Sequence, residues 1–453
     1  MEPLRTDEEA MPEDTLHPAH PGDPKDRINW PRYAQLLVQL NESDQFLSKA
    51  AAQELLTDCL RYCRIAGQYQ AGADLADRIR GAWSRTLAIA HPAMCELTTA
   101  QSNLLRGLGE FEKAHALDTE LMDNLSVAPE ADTGMLLNAR SGLAADQRFL
   151  GHYQDALREQ REVVATAQQL HGTDHDTTLL ASHNLGVSLR LTGRYAEALQ
   201  VDRDTFTKRQ ALALPLDSLE SGNVLARDMR LLGRHADAVD LQRRVVHQFV
   251  EQLGADHPKT QWAQHNLLLC RWQTNPRHEG IEGAFSELLQ RVVKTMGRGH
   301  FQALAVMTSL GNLQHVRGNT DSAYELIAEA EQGYRRLLGE AHPVSIGMRT
   351  NTGLTLEAQG QLDQAQAQFE WALEGLRDAL GRDHPVAMGA AVNAARCRSR
   401  SSTWDAADLI RDTIDRAINV LGAQHPLTRV CRNAVQQGHL DRTSSWSFEP
   451  YVG

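Results

Sequence analysis

The seven residues GRYAEAL at 193–199 return along the chain at a fixed interval, and this recurrence restricts the fold more than any other feature. A Gly-x-aromatic-x-x-Ala turn begins at Gly67, Gly109, Gly151 and Gly193. Looser copies begin at Gly233, Gly318 and Gly360, and degenerate ones fill the remaining places at Asn275 and Ser402. The interval is 42 residues, drifting by one or two near Gly233 and Gly318. A loop that serves one active site occurs once, whereas nine copies at a constant period are the mark of a building block.

A second marker keeps the same beat. His-Pro pairs stand at His257–Pro258, His342–Pro343, His384–Pro385 and His425–Pro426, with an earlier pair at His91–Pro92. His175–Asp176 and His300–Phe301 fall in phase. Glycine at the end of a run suits a left-handed C-cap, and proline suits the first turn of the next helix. The residue before proline is pushed out of the helical region, which puts each histidine at or beside an N-cap. Seven histidines in phase resemble a metal ladder, but one repeat of separation, roughly 10 Å, is too far for a shared ion. No metal or cofactor is expected. Between these points each helix has room for about 15 residues, some 22 Å. The position seven before the turn is mostly small (Ser102, Ala144, Gly186, Ala226, Gly311, Gly353, Ala395), which lets the paired helix approach closely.

Composition fits such an array. Aromatics make up only 5% of the chain, so its core must be built from Leu, Val and Ala. The net charge of −12 argues against non-specific nucleic-acid binding, which needs a basic footprint. Six lysines stand against forty arginines, so most positive sites can make bidentate contacts. Cys59 and Cys63 share a helix face, but no second ligand pair at metal spacing follows, and small buried side chains are the better reading. Neither a signal peptide nor an apolar run of membrane-spanning length is apparent, so a cytoplasmic chain without membrane association is expected.

The pattern N-L-G-x-x-L-x-x-x-G-x-Y-x-x-A-L at 184–199 resembles the tetratricopeptide repeat. The period of 42 and the L-G-x-x-H-P junction resemble the long-helix form of kinesin light chains and of bacterial NB-ARC regulators, which join a nucleotide-binding domain to such repeats. The segment WPRYAQLL at 30–37 is similar to the seam that precedes the repeats in those regulators, though no phosphate-binding loop stands before it. A further likeness is to actinobacterial repeat proteins encoded beside ribosomal-peptide clusters, some with a similar Trp-x-Phe-Glu-Pro tail. The resemblance implies an all-α, right-handed superhelical solenoid of about nine antiparallel helix pairs. We expect a disordered acidic N-terminus at 1–29, a lead-in helix at 30–50, repeats at 51–437 and a tail at 438–453. The tail carries Trp446, Phe448 and Tyr451. We expect it to cap the last helix; the alternative is a segment that docks in the array's own groove and competes with a ligand.

Stacked helix pairs leave a concave face lined by the first helix of each pair. In the family pattern its lining positions lie 3, 6, 10 and 13 residues before the turn. Position −3 reads Arg64, Arg106, Arg148, Arg190 and Arg230 in five successive repeats, then Trp272. Position −6 adds Arg61, Arg227, Asn103 and Asn312; position −10 adds His183, Asn223 and His265; and Trp262 accompanies Trp272 in the sixth repeat. An arginine near a helix end is also favoured by the macrodipole and can bond the last carbonyls, so capping competes with ligand binding as the reason for the row. If the row binds, guanidinium groups prefer carboxylates, and an acidic peptide, protein segment or C-terminal carboxylate is the partner. No catalytic fingerprint is present. The expectation is therefore a non-catalytic scaffold, an adaptor or regulator of a biosynthetic or signalling complex. The alternatives are a peptide-modifying enzyme of a ribosomal-peptide pathway, whose site no motif betrays, and a self-assembling homo-oligomer.

Overall fold

Two kinds of punctuation cut the chain into helices of 12 to 19 residues. The first is the glycine turn. At Gly109, with φ of 84°, the Gly109 N–H donates to the Arg106 carbonyl and the Glu110 N–H to that of Leu105. This is the Schellman pair of bonds, closing carbonyls that a helix end would otherwise leave open. The same pair closes the turns at Gly67, Gly151, Gly193, Gly233, Gly318 and Gly360. The second is the histidine, whose Nδ1 accepts the backbone N–H two residues on, as in Ala93 N–H to His91 and Val386 N–H to His384. Here histidine does what serine or aspartate does at most N-caps.

The computed structural model describes residues 20–129, 131–399, 403–437 and 445–451. All of its regular secondary structure is helical. A lead-in helix α1 (Trp30–Glu42) precedes nine pairs. These are α2 (Gln53–Ile65) with α3 (Tyr69–Trp83), α4 (Pro92–Leu108) with α5 (Phe111–Val127), and α6 (Thr133–Phe149) with α7 (Tyr153–His171). Then come α8 (Asp176–Leu191) with α9 (Tyr195–Ala211), α10 (Pro215–Leu231) with α11 (His235–Leu253), and α12 (Pro258–Thr274) with α13 (Ile281–Met296). The last are α14 (Phe301–Arg317) with α15 (Thr320–Leu338), α16 (Pro343–Ala358) with α17 (Leu362–Leu380), and α18 (Pro385–Arg398) with α19 (Thr403–Leu421), followed by α20 (Pro426–Gln437). The fold is an all-α solenoid of helix pairs, and the chain divides into two compact units, Met1–Ala139 and Arg140–Gly453.

In the first unit α1 is fastened to α2 by aromatic rings: Tyr33 stacks on Tyr62 at 5.2 Å and Trp30 meets it edge-on at 5.7 Å. Of the stretch 1–29, residues 1–19 lie outside the described residues. Residues 20–29 are not loose: the Tyr33 hydroxyl donates to the Gly22 carbonyl at 2.5 Å, and the Trp30 indole to that of Pro24 at 3.0 Å. Cys59 and Cys63 are buried here, and burial pushes the Cys63 thiol up to about 12. A thiol so held is packing, not a nucleophile.

In the second unit the coil closes on itself. The turns at Gly151, Gly193 and Gly233 meet the His-Pro junctions at His342–Pro343, His384–Pro385 and His425–Pro426, roughly 190 residues later. A Cβ on Gly151 would come within 2.7 Å of Pro343 Cδ, so the close approach and the left-handed backbone both demand glycine there. Because Nδ1 of each histidine is occupied as an acceptor, Nε2 carries the proton. His384 Nε2 donates to the Leu191 carbonyl at 3.0 Å and His425 Nε2 to the Leu231 carbonyl at 2.8 Å. One ring thus caps a helix and ties two turns of the coil together.

Candidate functional site

The arginine row separates according to what each side chain faces. In the first unit Arg106 is buried and ion-paired with Asp118, with the Asn103 carboxamide accepting a further bond at 3.1 Å. Arg61 pairs with Asp58 at 2.7 Å and Glu96 at 3.4 Å, and Arg64 is half-buried. In the second unit Arg148 is buried, with its guanidinium 3.5 Å from the Ser188 hydroxyl. Arg190 is fully buried between two carboxylates, Asp202 at 2.7 Å and Asp228 at 2.6 Å. Burial pushes the Asp228 carboxyl well above its ordinary range, with Arg190 opposing and Asp202 adding to the shift.

The difference has a simple source. Asp118 and Asp202 stand nine residues after their turn glycines, on the second helix of the pair, and reach the arginine three before it. In the neighbouring repeats that place is held by Gln160 and Gln242, whose carboxamides donate to the carbonyls of Ala181 and Ala263. Arg230 therefore has no carboxylate within its own pair.

Its carboxylate comes from the chain's far end. Glu449 ion-pairs with Arg230 at 2.6 Å and with Arg227 at 3.0 Å, and both guanidinium groups are almost wholly buried. Burial alone would raise the Glu449 carboxyl; Arg230 and Arg227 outweigh it and hold the group down to about 2. Arg227 also lies 3.7 Å from the centroid of Tyr451, a cation–π contact. Residues 445–451 lie extended across the first helices of five pairs, not as a cap on the last helix as expected. The cause is a row of carboxamides. Asn393 accepts the Trp446 N–H at 2.9 Å and donates to the Trp446 carbonyl at 2.7 Å. Asn351 does the same for Phe448, both at 2.8 Å, and Asn312 donates to that carbonyl too, at 3.0 Å. Alternate residues of an extended segment are thus held through their peptide groups.

The remaining expected residues lie close by or support the wall. His265 Nε2 meets the Ser309 hydroxyl at 2.9 Å, its ring tilts on Trp262 at 5.3 Å, and burial lowers it to about 3, so it is neutral. His183 is lowered to about 4, again by burial first. Asn223 accepts from Gln242 and Asn266, a brace within the wall. Trp272 borders a cavity of about 520 Å³ beside the tail, shared with Arg190, Arg227, Arg230 and Asn312. Asn351 and Asn393 are not among the residues singled out from the sequence. Both stand nine before the turn, where Asn184 and Asn266 stand as well, and a period-42 tally at that position would have found them.

The sequence profile described as Tetratricopeptide repeat matches residues 135–210 and 302–378, and the chain carries tetratricopeptide repeats. Among solved structures, NprR in complex with its cognate peptide NprX superposes with a TM-score of 0.57 at 10% identity, covering 80% of this chain and 97% of NprR. A Rap protein complexed with competence and sporulation factor gives 0.56 at 11% identity, covering 86% of this chain and 100% of the other. TPR-like repeats of a Podosopora anserina kinesin light chain are 22% identical over 44% of this chain and 95% of theirs, with a TM-score of 0.36. No curated protein matches by sequence. The likenesses to NprR and the Rap protein show the fold of an all-helical repeat solenoid. Among the described residues no helix is long and apolar enough to cross a membrane.

Proposed function

We propose that the second unit is a receptor for an extended acidic segment of a peptide or partner protein, making the chain an adaptor or regulator in a biosynthetic or signalling complex. The observation that carries this reading is the seat of Glu449. A carboxylate lies in the fork of two buried arginines while carboxamides hold the flanking main chain. Such a site selects an acidic side chain and an extended backbone. Of the row −3 arginines, Arg230 with its neighbour Arg227 is the recognition pair; Arg106 and Arg190 serve the scaffold. NprR was solved with its cognate peptide and the Rap protein with its factor, and their common build with this chain is in keeping with the reading.

The test is selection of a displayed peptide library on the full chain carrying Phe448→Ala and Glu449→Ala, which weaken the resident segment. The reading expects recovered peptides to share an acidic position and to be lost when Arg227→Ala and Arg230→Ala are added. Recovery without an acidic position, or undiminished recovery on the arginine-less chain, contradicts it.

A further inference from the structure

We infer that residues 445–451 are a resident ligand in the seat an incoming partner must take, and that their pattern of aromatic-x-aromatic-acidic-x-aromatic is the pattern the partner presents. The inference rests on the proposed peptide-receptor reading and adds to it the ligand's side-chain chemistry and its competitor.

Three observations carry it. The first is that each patterned side chain has a seat of its own. Phe448 is 4% exposed and lies on Gly347, where a Cβ would come within 2.6 Å of its ring; Trp446 lies on Gly389 in the same way. Gly347 and Gly389 are equivalent positions, thirteen before the turn, in successive repeats. Both sit inside helices, where glycine costs about 0.5–1 kcal/mol relative to alanine. In the other seven repeats that position carries Glu54, Glu96, Asn138, Leu180, Glu220, Trp262 and Ala305. Glycine stands there in the two repeats on which the segment's Phe448 and Trp446 rest.

The second is charge. With the segment seated, Arg227 and Arg230 are 4% and 1% exposed and share the Glu449 carboxylate, so its departure uncovers two adjacent cations and takes away their common counter-charge. Like charges held side by side favour a carboxylate in that place. Glu449 and a partner's carboxylate compete for the same fork.

The third is tethering. Glu449 belongs to the same chain as the fork, so the segment competes at an effective concentration on the order of millimolar. A free acidic peptide of modest affinity is turned away. A partner enters when it carries the same pattern and also fills the adjoining cavity, whose wall includes Leu231, Leu269, Trp272, Val316 and Val344. The resident segment therefore sets a threshold for entry.

A fluorescent synthetic peptide copying residues 443–453 tests this by anisotropy against two full-length chains, wild type and Phe448→Ala/Glu449→Ala. Expected is binding to the variant at least about tenfold tighter than to wild type, from loss of the tethered competitor. Also expected is a comparable loss when the peptide carries Glu449→Gln or Phe448→Ala, changes that leave the protein untouched. Equal affinity for both chains overturns the competition, and equal affinity of the altered peptides overturns the pattern. In wild type, saturating peptide is expected to speed hydrogen exchange at 445–451, a readout that needs no variant; unchanged exchange at saturation overturns the shared seat. If the variant binds library-selected acidic peptides but not this one, the inference fails while the receptor reading stands. If it binds neither, both fail.

Discussion

The two walls that hold the C-terminal segment work by opposite principles. On α8 and α10 the wall is cationic, with Arg190, Arg227 and Arg230 buried together. On α14, α16 and α18 it is neutral, with Asn312, Asn351 and Asn393 aimed at the main chain. Two adjacent guanidinium groups facing the segment need a counter-charge, so the first wall favours a carboxylate and supplies charge selectivity. A carboxamide can bond any peptide group, so on the second wall the amides supply register while the hollows at Gly347 and Gly389 take the aromatics. Within the cationic wall the contrast repeats: Arg190 has its counter-charges inside the scaffold, whereas Arg227 and Arg230 take theirs from a segment that can leave.

The strongest way to break this comparison is at Arg190. Arg190→Ala strands Asp202 and Asp228 in the interior, and removing one partner of a buried ion pair costs about 3–5 kcal/mol. A urea melt should place its midpoint far below that of wild type, and an unchanged midpoint would make Arg190 a ligand arginine like the others. Next in size is Arg227→Ala/Arg230→Ala, which removes charge-assisted bonds worth about 1.5–3 kcal/mol each. Its expected effect falls on the segment: residues 445–451 lose exchange protection while the far-ultraviolet dichroism of the helices is kept. Asn351→Ala or Asn393→Ala should be milder, about 1 kcal/mol, read as roughly fivefold faster exchange at Phe448 or Trp446 respectively. A uniform loss over all of 445–451 from either change would mean that the amides do not set register.

Acid separates the coil's seam from the segment's anchor. Burial lowers His384 to about 4, its bond to the Leu191 carbonyl opposing, and lowers His342 to about 4. The unfolded chain takes up these protons near pH 6.5 while the folded one does not. The stability they contribute is therefore whole above that value and is lost as pH falls toward 4. Glu449 is held to about 2, so its contribution persists until pH drops below the ordinary carboxylate value near 4.5. Between pH 6.5 and 5 the melting midpoint of the second unit should fall while 445–451 stay protected. His384→Asn, which can still cap α18, should flatten that pH slope; a slope unchanged by it would remove the histidine from the seam.

Much of this was legible beforehand, and what was not has a physical cause. The helix pairs follow from glycine and histidine turns whose chemistry is local, so they can be read from a few adjacent residues. The arginine row was legible because repetition aligns it. The fate of each arginine was not, because it depends on whether Asp or Gln stands nine residues past the turn, as at Asp202 and Gln242. The segment's docking in the groove was the least legible. It joins Arg230 to Glu449 across 219 residues, and it becomes possible only once the coil has brought α10 within reach of α16 and α18. Its hydrophobic and acidic residues alone suit a helix cap equally well.

The most direct test of the account is amide hydrogen exchange of residues 445–451 in the unaltered full chain at neutral pH. The account predicts slow exchange at Trp446 and Phe448, whose N–H groups are bound by Asn393 and Asn351, with protection lost in Arg227→Ala/Arg230→Ala. Exchange at the rate of an unstructured peptide in the unaltered chain would contradict it and leave the groove without its ligand.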